Sequence, residues 1–508
     1  MQNILFITAD QWRADCTSYA GHPLVKTPNL DRLAAEGTAF LNHYANAAPC
    51  SPARACLYTG LYQMNNRVLR NGSPLVDRFD NIARAARRAG YDPTLFGYTD
   101  QSPDPRTLPP GDPALKTFEG VLPGFSARVK LPEDERPWLS WLRQQGLDFP
   151  DAQSAHRPVG VPSGEVSSAP SAYSAEQTQT AFIAGEFIRW LGEQQTATPW
   201  FAHLSFLRPH PPFIVPAPYH TMFDPLEVDG FTRAETAEAE AALHPLLSYQ
   251  LDKARQADFV PGTKGLVRDL TEAEFRQIKA TYYGMIAEVD AQLGRVFAAL
   301  QNAGGWDETL IVFTSDHAEM LGDHFLLGKG GFFDESQRIP LLIRDPAQPV
   351  GHGRSVDAFT EAVDLFPTLL DALALSPNHH PDGQSLMPFL AGQTPTDWRD
   401  AVHWEFDFRD IAGQKAERRF GLSSTQLAMA AIRDARHKYV HFTGLKPLLF
   451  DMERDPGNLH NLADDSAALP IRLRLAEKLL AWRAEHLDQT LALSELTAAG
   501  VVRLSSNG

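Results

Sequence analysis

Cysteine is scarce in this sequence. Its 508 residues include only Cys16, Cys50 and Cys56, and an odd set of three cannot build a disulfide framework. Long apolar runs are missing too, because no stretch reaches the length that crosses a bilayer. The chain enters an apolar strand by Ile4 without the basic region and hydrophobic segment of a secretory signal. These absences argue against a disulfide-rich secreted protein or a membrane-spanning one, and we expect a cytoplasmic protein.

Positive charge is also in short supply. The chain has 46 Lys and Arg residues against 62 Asp and Glu residues, a formal net charge of -16. This argues against nucleic acid or an anionic membrane as a partner. A small anionic substrate would therefore need positive charge concentrated at its own site. With 43% hydrophobic residues over this length, the chain can bury a large core, which we expect to form one large domain and a smaller one.

The N-terminal part of the chain alternates short apolar runs with helix-like segments, which is typical of an α/β fold. The apolar runs predict buried strands of a large, mostly parallel mixed sheet flanked by helices. These runs are 3–9, 93–98, 200–206, 310–315 and 339–343. Pro340 in the last run predicts an edge strand, because proline cannot donate to a ladder. We expect residues 1–395 to form this domain, with the Pro-, Ser- and Gly-rich stretch of about 101–180 as an insertion that serves as a lid or an oligomer contact.

The pattern changes near Trp398. Short alternating segments separated by turns predict a small antiparallel sheet, followed by an amphipathic helix from Leu469 to His486. We therefore expect residues 396–508 to form a C-terminal subdomain. Its tail is interpreted as an arm onto a neighbouring subunit, which predicts a homodimer or homotetramer.

Residues 48–60 (APCSPARACLYTG) combine a turn with the start of a helix. Ser51 is expected to cap this helix and Gly60 to end it. Cys50 then lies just ahead of the helix N-terminus, where free N–H groups favour an anion, and Arg54 adds a positive charge one turn further on. From the residues alone, Cys50 can be a buried small hydrophobe or a thiolate nucleophile, although no Cys-His-Asn spacing supports the second interpretation.

Other chemistry-bearing residues follow predicted strands, at the edge where open α/β sheets bind ligands. Asp10 and Gln11 follow the first strand, and Asp316 and His317 follow the strand near 310–315. Two carboxylates, an amide oxygen and an imidazole suit a single divalent ion: Ca²⁺, Mg²⁺, Mn²⁺ or Zn²⁺. For either pair alone, a helix cap or a turn remains the alternative.

Tyr98 and His210 also follow predicted strands. Prolines on both sides of His210 restrict the mobility of its loop. This makes His210 a better catalytic candidate than a histidine in a mobile surface loop. A structural role is the alternative for each.

Together these residues resemble a known family. Cys50-x-Pro52-x-Arg54 followed by Thr59-Gly60 resembles the signature of the sulfatases, a branch of the alkaline phosphatase superfamily. Further segments similar to that branch are Asp10, 27–40, 314–317, Gly328-Lys329 and 450–462. A finer resemblance is to the phosphonate monoester hydrolase/phosphodiesterase subgroup. It is carried by 10–15 (DQWRAD), 61–65, 97–99, 208–213 and 406–410.

The resemblance covers nearly the whole chain and implies an alkaline phosphatase-like fold. It also implies that a formylglycine-generating enzyme oxidises Cys50 to formylglycine, whose hydrated aldehyde is the nucleophile. The residues implied to hold one divalent metal ion are Asp10, Gln11, modified Cys50, Asp316 and His317. The residues implied to contact the substrate are Asn71, Tyr98, His210 and Lys329. We expect His210 to protonate the leaving oxygen with help from Lys329, and Arg54 to stabilise oxygens of the transferred group.

Some positions depart from the family pattern. Gln11 replaces the second Asp of typical sulfatases, and their Gly-Lys-Trp-His motif is missing. Asp100 stands where the phosphonate hydrolases usually have Thr. A carboxylate there would repel a doubly charged monoester group and could instead bind a cationic or hydroxylated leaving group, so Asp100 is a candidate substrate-binding residue.

We expect a sulfate ester hydrolase of the arylsulfatase type that also hydrolyses phosphonate monoesters and phosphodiesters. The alternative is that a phosphorus ester is the native substrate. Two further interpretations are a two-metal phosphatase with unmodified Cys50 and an inactive binding homologue. In each enzymatic case the partner is a small anionic ester.

Overall fold

The computed structural model describes residues 2–161, 164–194 and 198–503. The strands of its central sheet are β1 Asn3–Ala9, β2 Thr38–Tyr44, β3 Thr94–Gly97, β4 Ser126–Lys130, β5 Phe201–Phe206, β6 Thr309–Thr314, β7 Arg338–Arg344 and β8 Arg354–Glu361. They lie in the order β4-β3-β5-β1-β6-β7-β2-β8. β1 is parallel to both of its neighbours, and it is buried from Ile4 onwards, as expected for an apolar strand covered on both faces. The large mixed sheet predicted from the sequence is confirmed.

The exception to the parallel arrangement is β7, which runs antiparallel to β6 and β2. Pro340 lies in this strand, and the prediction that it marks an edge is wrong, because β7 has a partner on each side. The register of β2 against β7 shifts between Phe40 and His43, which places a bulge opposite Pro340. A bulge accommodates a residue without a backbone N–H, so proline is tolerated inside the sheet.

Helices cover both faces of this sheet. In the described ranges the α-helices are α1 Pro28–Ala35, α2 Cys50–Thr59, α3 Gln63–Asn66, α4 Ile82–Arg88, α5 Arg136–Gln144, α6 Ala152–Ala155, α7 Gln179–Glu193, α8 Ala237–Ala242, α9 Pro245–Lys253, α10 Glu272–Asn302, α11 Leu365–Ala372, α12 Met387–Leu390, α13 Lys415–Phe420 and α14 Leu469–Glu485. Alternate residues of β1 pack into two clusters, one with α7 and α10 and the other with α2, α4 and α11. None of these helices is both long and apolar enough to cross a membrane.

The stretch 101–180 contributes an edge to the sheet. Its strand β4 pairs in parallel with β3, and its helix α5 buries Trp138 in the core. The helix-like pattern of residues 137–145 predicts a helix here, and α5 confirms it. The sequence did not predict β4, because Ser126–Lys130 is an edge strand with a polar, partly exposed pattern.

The C-terminal part forms a second sheet from β9 Ala401–Asp407, β10 Ala428–Asp434, β11 His437–Phe442 and β12 Leu448–Asp451. All of its pairings are antiparallel, as predicted. Helix α14 packs against it through Leu475, Leu479 and Trp482. The tail forms a hairpin of β13 Ser494–Thr497 and β14 Gly500–Arg503.

Candidate active site

The site begins at the sheet edge where β1 and β6 end. These strands are parallel neighbours, in register at Thr8 and Thr314. Asp10, which follows β1, and Asp316 and His317, which follow β6, therefore emerge at the same edge. The structure thus brings together the two strand-end pairs that the sequence singled out.

Helix α2 adds its first residue to these side chains. Asp10, Cys50, Asp316 and His317 each offer a ligand atom, and these atoms lie within 4.8 Å of one another. His317 Nδ1–H donates to the carbonyl oxygen of Ala318 at 3.2 Å, so its Nε2 lone pair faces Cys50 Sγ, also at 3.2 Å. The same nitrogen lies 3.7 Å from Oδ1 of Asp10 and 3.7 Å from Oδ2 of Asp316.

This donor set fits a divalent cation. Oδ1 of Asp10 is buried and has no hydrogen-bond partner in the described part of the chain. A buried carboxylate oxygen of this kind calls for a bound ion or water. Burial works against ionisation of Asp10, but the positive charges of Lys329 and Arg54 nearby help to hold its pKa well below the usual range. Conversion of Cys50 to formylglycine would add an oxygen donor, which matches the preference of Ca²⁺, Mg²⁺ and Mn²⁺.

Arg54 lies behind the cluster and is completely buried. Its Nε donates to Asp316 Oδ2 at 2.8 Å, and its Nη2 donates to Asp10 Oδ2 at 3.1 Å. Nη1 donates to Ser205 Oγ at 2.9 Å and to the carbonyl oxygen of Tyr98 at 3.2 Å. Because these donors are directed at protein acceptors, the geometry assigns Arg54 to fixing the two carboxylates. Its predicted contact with the transferred group does not fit this placement.

The start of α2 differs from the prediction. The helix begins at Cys50, and the hydroxyl of Ser51 makes no hydrogen bond in the described structure, so Ser51 is not the cap. Instead, the backbone N–H of Ser51 donates to Oδ1 of Asn71 at 3.0 Å. Gly60 ends the helix in the left-handed conformation, as predicted.

The thiol of Cys50 is poorly suited to act as a nucleophile. Burial, reinforced by the charge of Asp10, raises its pKa well above the ordinary value. A thiolate is the reactive form of cysteine, and the raised pKa disfavours that form in an unmodified Cys50. This environment disfavours the thiolate interpretation.

Gln11 connects the cluster to a lysine at the cavity wall. Lys329 Nζ donates to Oε1 of Gln11 at 2.6 Å, while Nε2 of Gln11 donates to Glu319. Glu319 also accepts from the backbone N–H of Gly328 at 2.6 Å, which fixes the glycine-rich loop that carries Lys329. Glu319 is not among the site residues predicted from the sequence, although a glutamate two residues after His317 in an otherwise apolar segment could have pointed to it.

Comparison with known proteins shows where this site belongs. A family model described as sulfatase matches residues 2–375. The chain belongs to the sulfatase family. A second model, described as N-sulphoglucosamine sulphohydrolase, C-terminal, matches residues 322–485 of this sulfatase-family protein.

Individual relatives refine this placement. The chain is 42% identical over 500 residues, 96% of each chain, to "Multifunctional alkaline phosphatase superfamily protein PehA" of Trinickia caryophylli. It is 27% identical to an arylsulfatase of Clostridium perfringens, over 91% of this chain and 90% of that protein. The crystal structure of a phosphonate monoester hydrolase of Agrobacterium radiobacter superimposes with a TM-score of 0.97 at 60% identity, over 99% of this chain and 100% of that one. The resemblance to sulfatases, and within them to phosphonate monoester hydrolases, is confirmed.

His210 of this sulfatase-family protein lines a cavity beside the cluster. Its Nδ1–H donates to the carbonyl oxygen of Pro211 at 2.7 Å, which leaves Nε2 as the free ring nitrogen. Burial and the charge of Lys329 lower the pKa of His210 to about 3. Without a bound ligand the ring of His210 is therefore neutral at physiological pH. It can take up a proton and act as a donor only when an anionic group binds beside it.

The remaining predicted site residues surround the cluster. The hydroxyl of Tyr98 donates to Asp10 Oδ2 at 2.6 Å, so Tyr98 supports a carboxylate of the cluster. Asp100 is buried, and burial raises its pKa to about 7, with Arg54 opposing the shift. Asn71 is half-buried and lines the cavity together with Lys329.

The cavity has a volume of about 470 Å³. The cavity wall is largely apolar and aromatic, and it is built mainly from α9, the Met320–Gly330 loop and the end of β9. Apolar members of this wall are Leu246, Tyr249, Phe259, Leu327, Phe406 and Phe408. A cavity of this size and character can enclose the organic groups of an ester whose charged centre lies at the cluster.

Proposed function

We propose that this protein is a formylglycine- and metal-dependent hydrolase of singly charged esters. Phosphonate monoesters and phosphodiesters are its preferred substrates, and aryl sulfates are a further activity. The observation that carries the proposal is the cluster of Asp10, Cys50, Asp316 and His317 beside the cavity. The order of substrates reverses the sequence-based expectation, which put sulfate esters first. The reversal is supported by 60% identity to a phosphonate monoester hydrolase against 27% to an arylsulfatase.

Formylglycine at position 50 would supply the nucleophilic oxygen, and a divalent ion would lower the pKa of that oxygen and offset charge on the transferred group. The chain's own residues prepare this arrangement. Arg54 and Tyr98 hold the carboxylates of Asp10 and Asp316 in place. We include Gln11 as an additional oxygen ligand, because a carbonyl oxygen has a second lone pair besides the one that accepts from Lys329.

Proton transfer to the leaving oxygen is assigned to His210. In the free protein its ring is neutral, but an anionic ester beside Nε2 favours the charged imidazolium, so a proton is taken up as the substrate binds. Lys329 stays cationic, and from the cavity wall it can contact the non-bridging oxygens and assist the leaving group. Asn71 offers an amide donor on the same side of the cavity.

The charge around the site supports a preference for single charges. Asp10, Asp100 and Asp316 place three carboxyl groups close to where the transferred group must lie. Phosphodiesters, phosphonate monoesters and sulfate monoesters each carry one negative charge, whereas a phosphate monoester carries two near neutral pH. We therefore propose that phosphate monoesters are the poorest substrates of the four.

The test is a comparison of kcat/KM on a phosphonate monoester, a phosphodiester, a sulfate ester and a phosphate monoester that share one phenol leaving group. The enzyme is produced together with a formylglycine-generating enzyme. We expect both singly charged phosphorus esters to exceed the sulfate ester and the phosphate monoester to be slowest. A sulfate ester that outperforms both phosphorus esters would overturn the proposed order.

The matched variants are Cys50→Ala and Cys56→Ala. Both residues are buried in α2, but only Cys50 belongs to the cluster. We expect Cys50→Ala to lose all four activities together and Cys56→Ala to keep them. Retention of activity by Cys50→Ala would contradict the assigned nucleophile.

Two alternatives receive less support. A two-metal phosphatase needs a second ligand set, and across residues 2–161, 164–194 and 198–503 the structure gathers three or more such acid, His or Cys ligands only at this cluster. An inactive binding homologue would have no need for the orphaned buried oxygen of Asp10 that faces His317.

We also propose that a formylglycine-generating enzyme acts on Cys50 during maturation. The tail hairpin supports an oligomer, because its apolar side chains Leu496, Val501 and Val502 are exposed in the single chain. Chromatography coupled to light scattering on the full chain and on a chain truncated after residue 490 tests this assembly.

A further inference from the structure

The loop that carries His210 is held from behind by a buried arginine. Arg208 is 4% exposed, and its Nη1 donates to the carbonyl oxygen of His210 at 2.7 Å and to that of Pro212 at 2.9 Å. One nitrogen of the guanidinium therefore fixes the backbone on both sides of Pro211. The ring of His210 donates to the carbonyl oxygen of Pro211, so its orientation depends on the same backbone.

The other terminal nitrogen of Arg208 faces an imidazole. Nη2 lies 3.4 Å from Nδ1 and 3.4 Å from Nε2 of His156. Equal distances to both ring nitrogens place the guanidinium over the face of the ring, because an approach in the ring plane would collide with Cε1. A planar guanidinium stacks on a flat ring in a way that a lysine ammonium cannot.

His156 is itself locked in place. Its Nε2–H donates to Glu135 Oε2 at 2.9 Å, and its Nδ1 accepts from the hydroxyl of Tyr173 at 3.0 Å. The ring stacks on Trp138 with a centroid distance of 5.2 Å and an interplanar angle of 11°. Both ring nitrogens and one face are thus occupied, and Glu135, His156 and Tyr173 are all buried. The platform under Arg208 cannot turn without breaking a buried hydrogen bond.

We propose that Arg208, supported by His156 and Glu135, is a positioning residue that holds His210 in range of the leaving oxygen. The inference rests on the proposed function, in which His210 donates that proton. It gives the stretch 101–180 a part in the chemistry, because Glu135, His156 and Tyr173 all belong to it. Proton transfer requires hydrogen-bond distance, and a displacement of about 1 Å is enough to lower a rate by about 100-fold.

The test compares two phosphonate monoesters that differ only in the alcohol, one with an acidic nitrophenol and one with a weakly acidic alkyl alcohol. A good leaving group departs without a proton, whereas a poor one needs it. Arg208→Lys keeps the charge but loses the stacking and the fork of donors. We expect its kcat/KM to fall about 10- to 100-fold on the alkyl ester and less than about threefold on the nitrophenyl ester.

The matched control is Arg344→Lys. Arg344 is also 4% exposed and donates to a backbone carbonyl, that of Trp306 at 2.7 Å. It lies at the opposite end of the sheet, where β7 pairs with Ile311 near the start of β6. We expect this variant to leave the ratio of the two esters unchanged. An equal loss on both esters in Arg208→Lys would show a merely structural role and overturn the inference.

A double-mutant cycle with His210→Ala separates this inference from the proposed function. If Arg208 acts through His210, Arg208→Lys adds little further loss on the alkyl ester once His210 is gone. Full additivity would overturn the positioning role. If His210→Ala itself does not discriminate between the two esters, it is the assigned proton donor, and hence the proposed function, that fails.

His156→Gln provides a second route should Arg208→Lys not fold. Its amide can replace the hydrogen bonds to Glu135 and Tyr173, but it removes the flat ring under the guanidinium. We expect the same selective loss on the alkyl ester, smaller in size. A variant with an unchanged ratio of the two esters would contradict the proposal.

Discussion

Nε of Arg54 lies 2.8 Å from Oδ2 of Asp316, and neither side chain is exposed to solvent. Arg54 is thus a fixed internal cation that compensates carboxylates when no metal is bound. We predict that Arg54→Met destabilises the metal-free protein by about 3–5 kcal/mol, because it leaves buried carboxylates uncompensated. Added divalent metal should restore more stability to the variant than to the wild type, since the ion replaces the lost charge. Thermal unfolding with and without metal measures both effects.

The control for that variant is Arg399→Met. The side chain of Arg399 is 11% exposed, and it pairs with the fully buried Asp364, which is not part of the cluster. Its loss should destabilise the protein to a similar extent, and metal should give no extra recovery. Equal recovery in the two variants would contradict the role assigned to Arg54.

Metal content offers a separate prediction. We expect one divalent ion per chain in the mature protein and its loss in His317→Ala, because this substitution removes the nitrogen whose lone pair faces the cluster. His203→Ala is the control, since His203 is equally buried but hydrogen-bonds to Tyr58 and to the backbone of Phe6. Elemental analysis after dialysis gives the stoichiometry. Full metal retention in His317→Ala would contradict the ligand assignment.

Glu288 predicts a pH dependence of stability away from the cluster. Burial raises its pKa to about 7, although Thr178 donates to it at 2.6 Å. Between the ordinary glutamate pKa and about 7 the unfolded state ionises while the folded state keeps its proton, so stability falls as pH rises through this range. The full difference is about 3 kcal/mol.

Glu288→Gln should therefore be more stable than the wild type at pH 8, and the advantage should disappear toward pH 4. Urea unfolding across this range measures it. A stability difference that does not change with pH would contradict the raised pKa.

Gly97 supports the strand end next to Tyr98. A Cβ at this position would lie 2.1 Å from the carbonyl oxygen of Ser205, and φ is +114°. We predict that Gly97→Ala destabilises the protein by more than about 2 kcal/mol, because it both clashes and forces an unfavourable backbone conformation. Gly185→Ala in α7 is the matched control, since nothing lies within 4 Å of its Cβ and helix propensity favours alanine by about 1 kcal/mol. Denaturant unfolding should show that Gly97→Ala is less stable than the wild type and that Gly185→Ala is more stable.

The fold was predictable from the sequence where buried segments have a clear apolar pattern. The apolar run Asn3–Ala9 predicts a central strand because both of its faces are covered. The spacing Thr271-x-x-Glu274 is typical of a capping box, and α10 begins there. β4 was not predicted from the sequence, because an exposed edge strand need not be apolar. The prediction of an edge strand at Pro340 was wrong because the bulge that accommodates this proline is formed by Leu41 and Asn42, in a strand distant in sequence.

The site was predictable where chemistry and strand ends coincide. Asp10, Asp316 and His317 follow strands that proved to be adjacent, so their meeting follows from topology. Topology alone does not predict the direction in which a side chain points. Arg54 turned inward to the carboxylates, and the buried partners of Arg208 come from a stretch that looked like an insertion.

The central claim, that residue 50 acts as formylglycine, is tested most directly by mass spectrometry of the peptide that contains it. Preparations made with different amounts of formylglycine-generating enzyme would be compared for the converted fraction and for activity on a phosphonate monoester. We predict that residue 50 loses its sulfur and two hydrogens and gains one oxygen, as the change from a CH2–SH to a CHO group requires. Specific activity should rise in proportion to the converted fraction, from near zero in the unconverted protein. Full activity in a preparation whose Cys50 is entirely thiol would contradict the account.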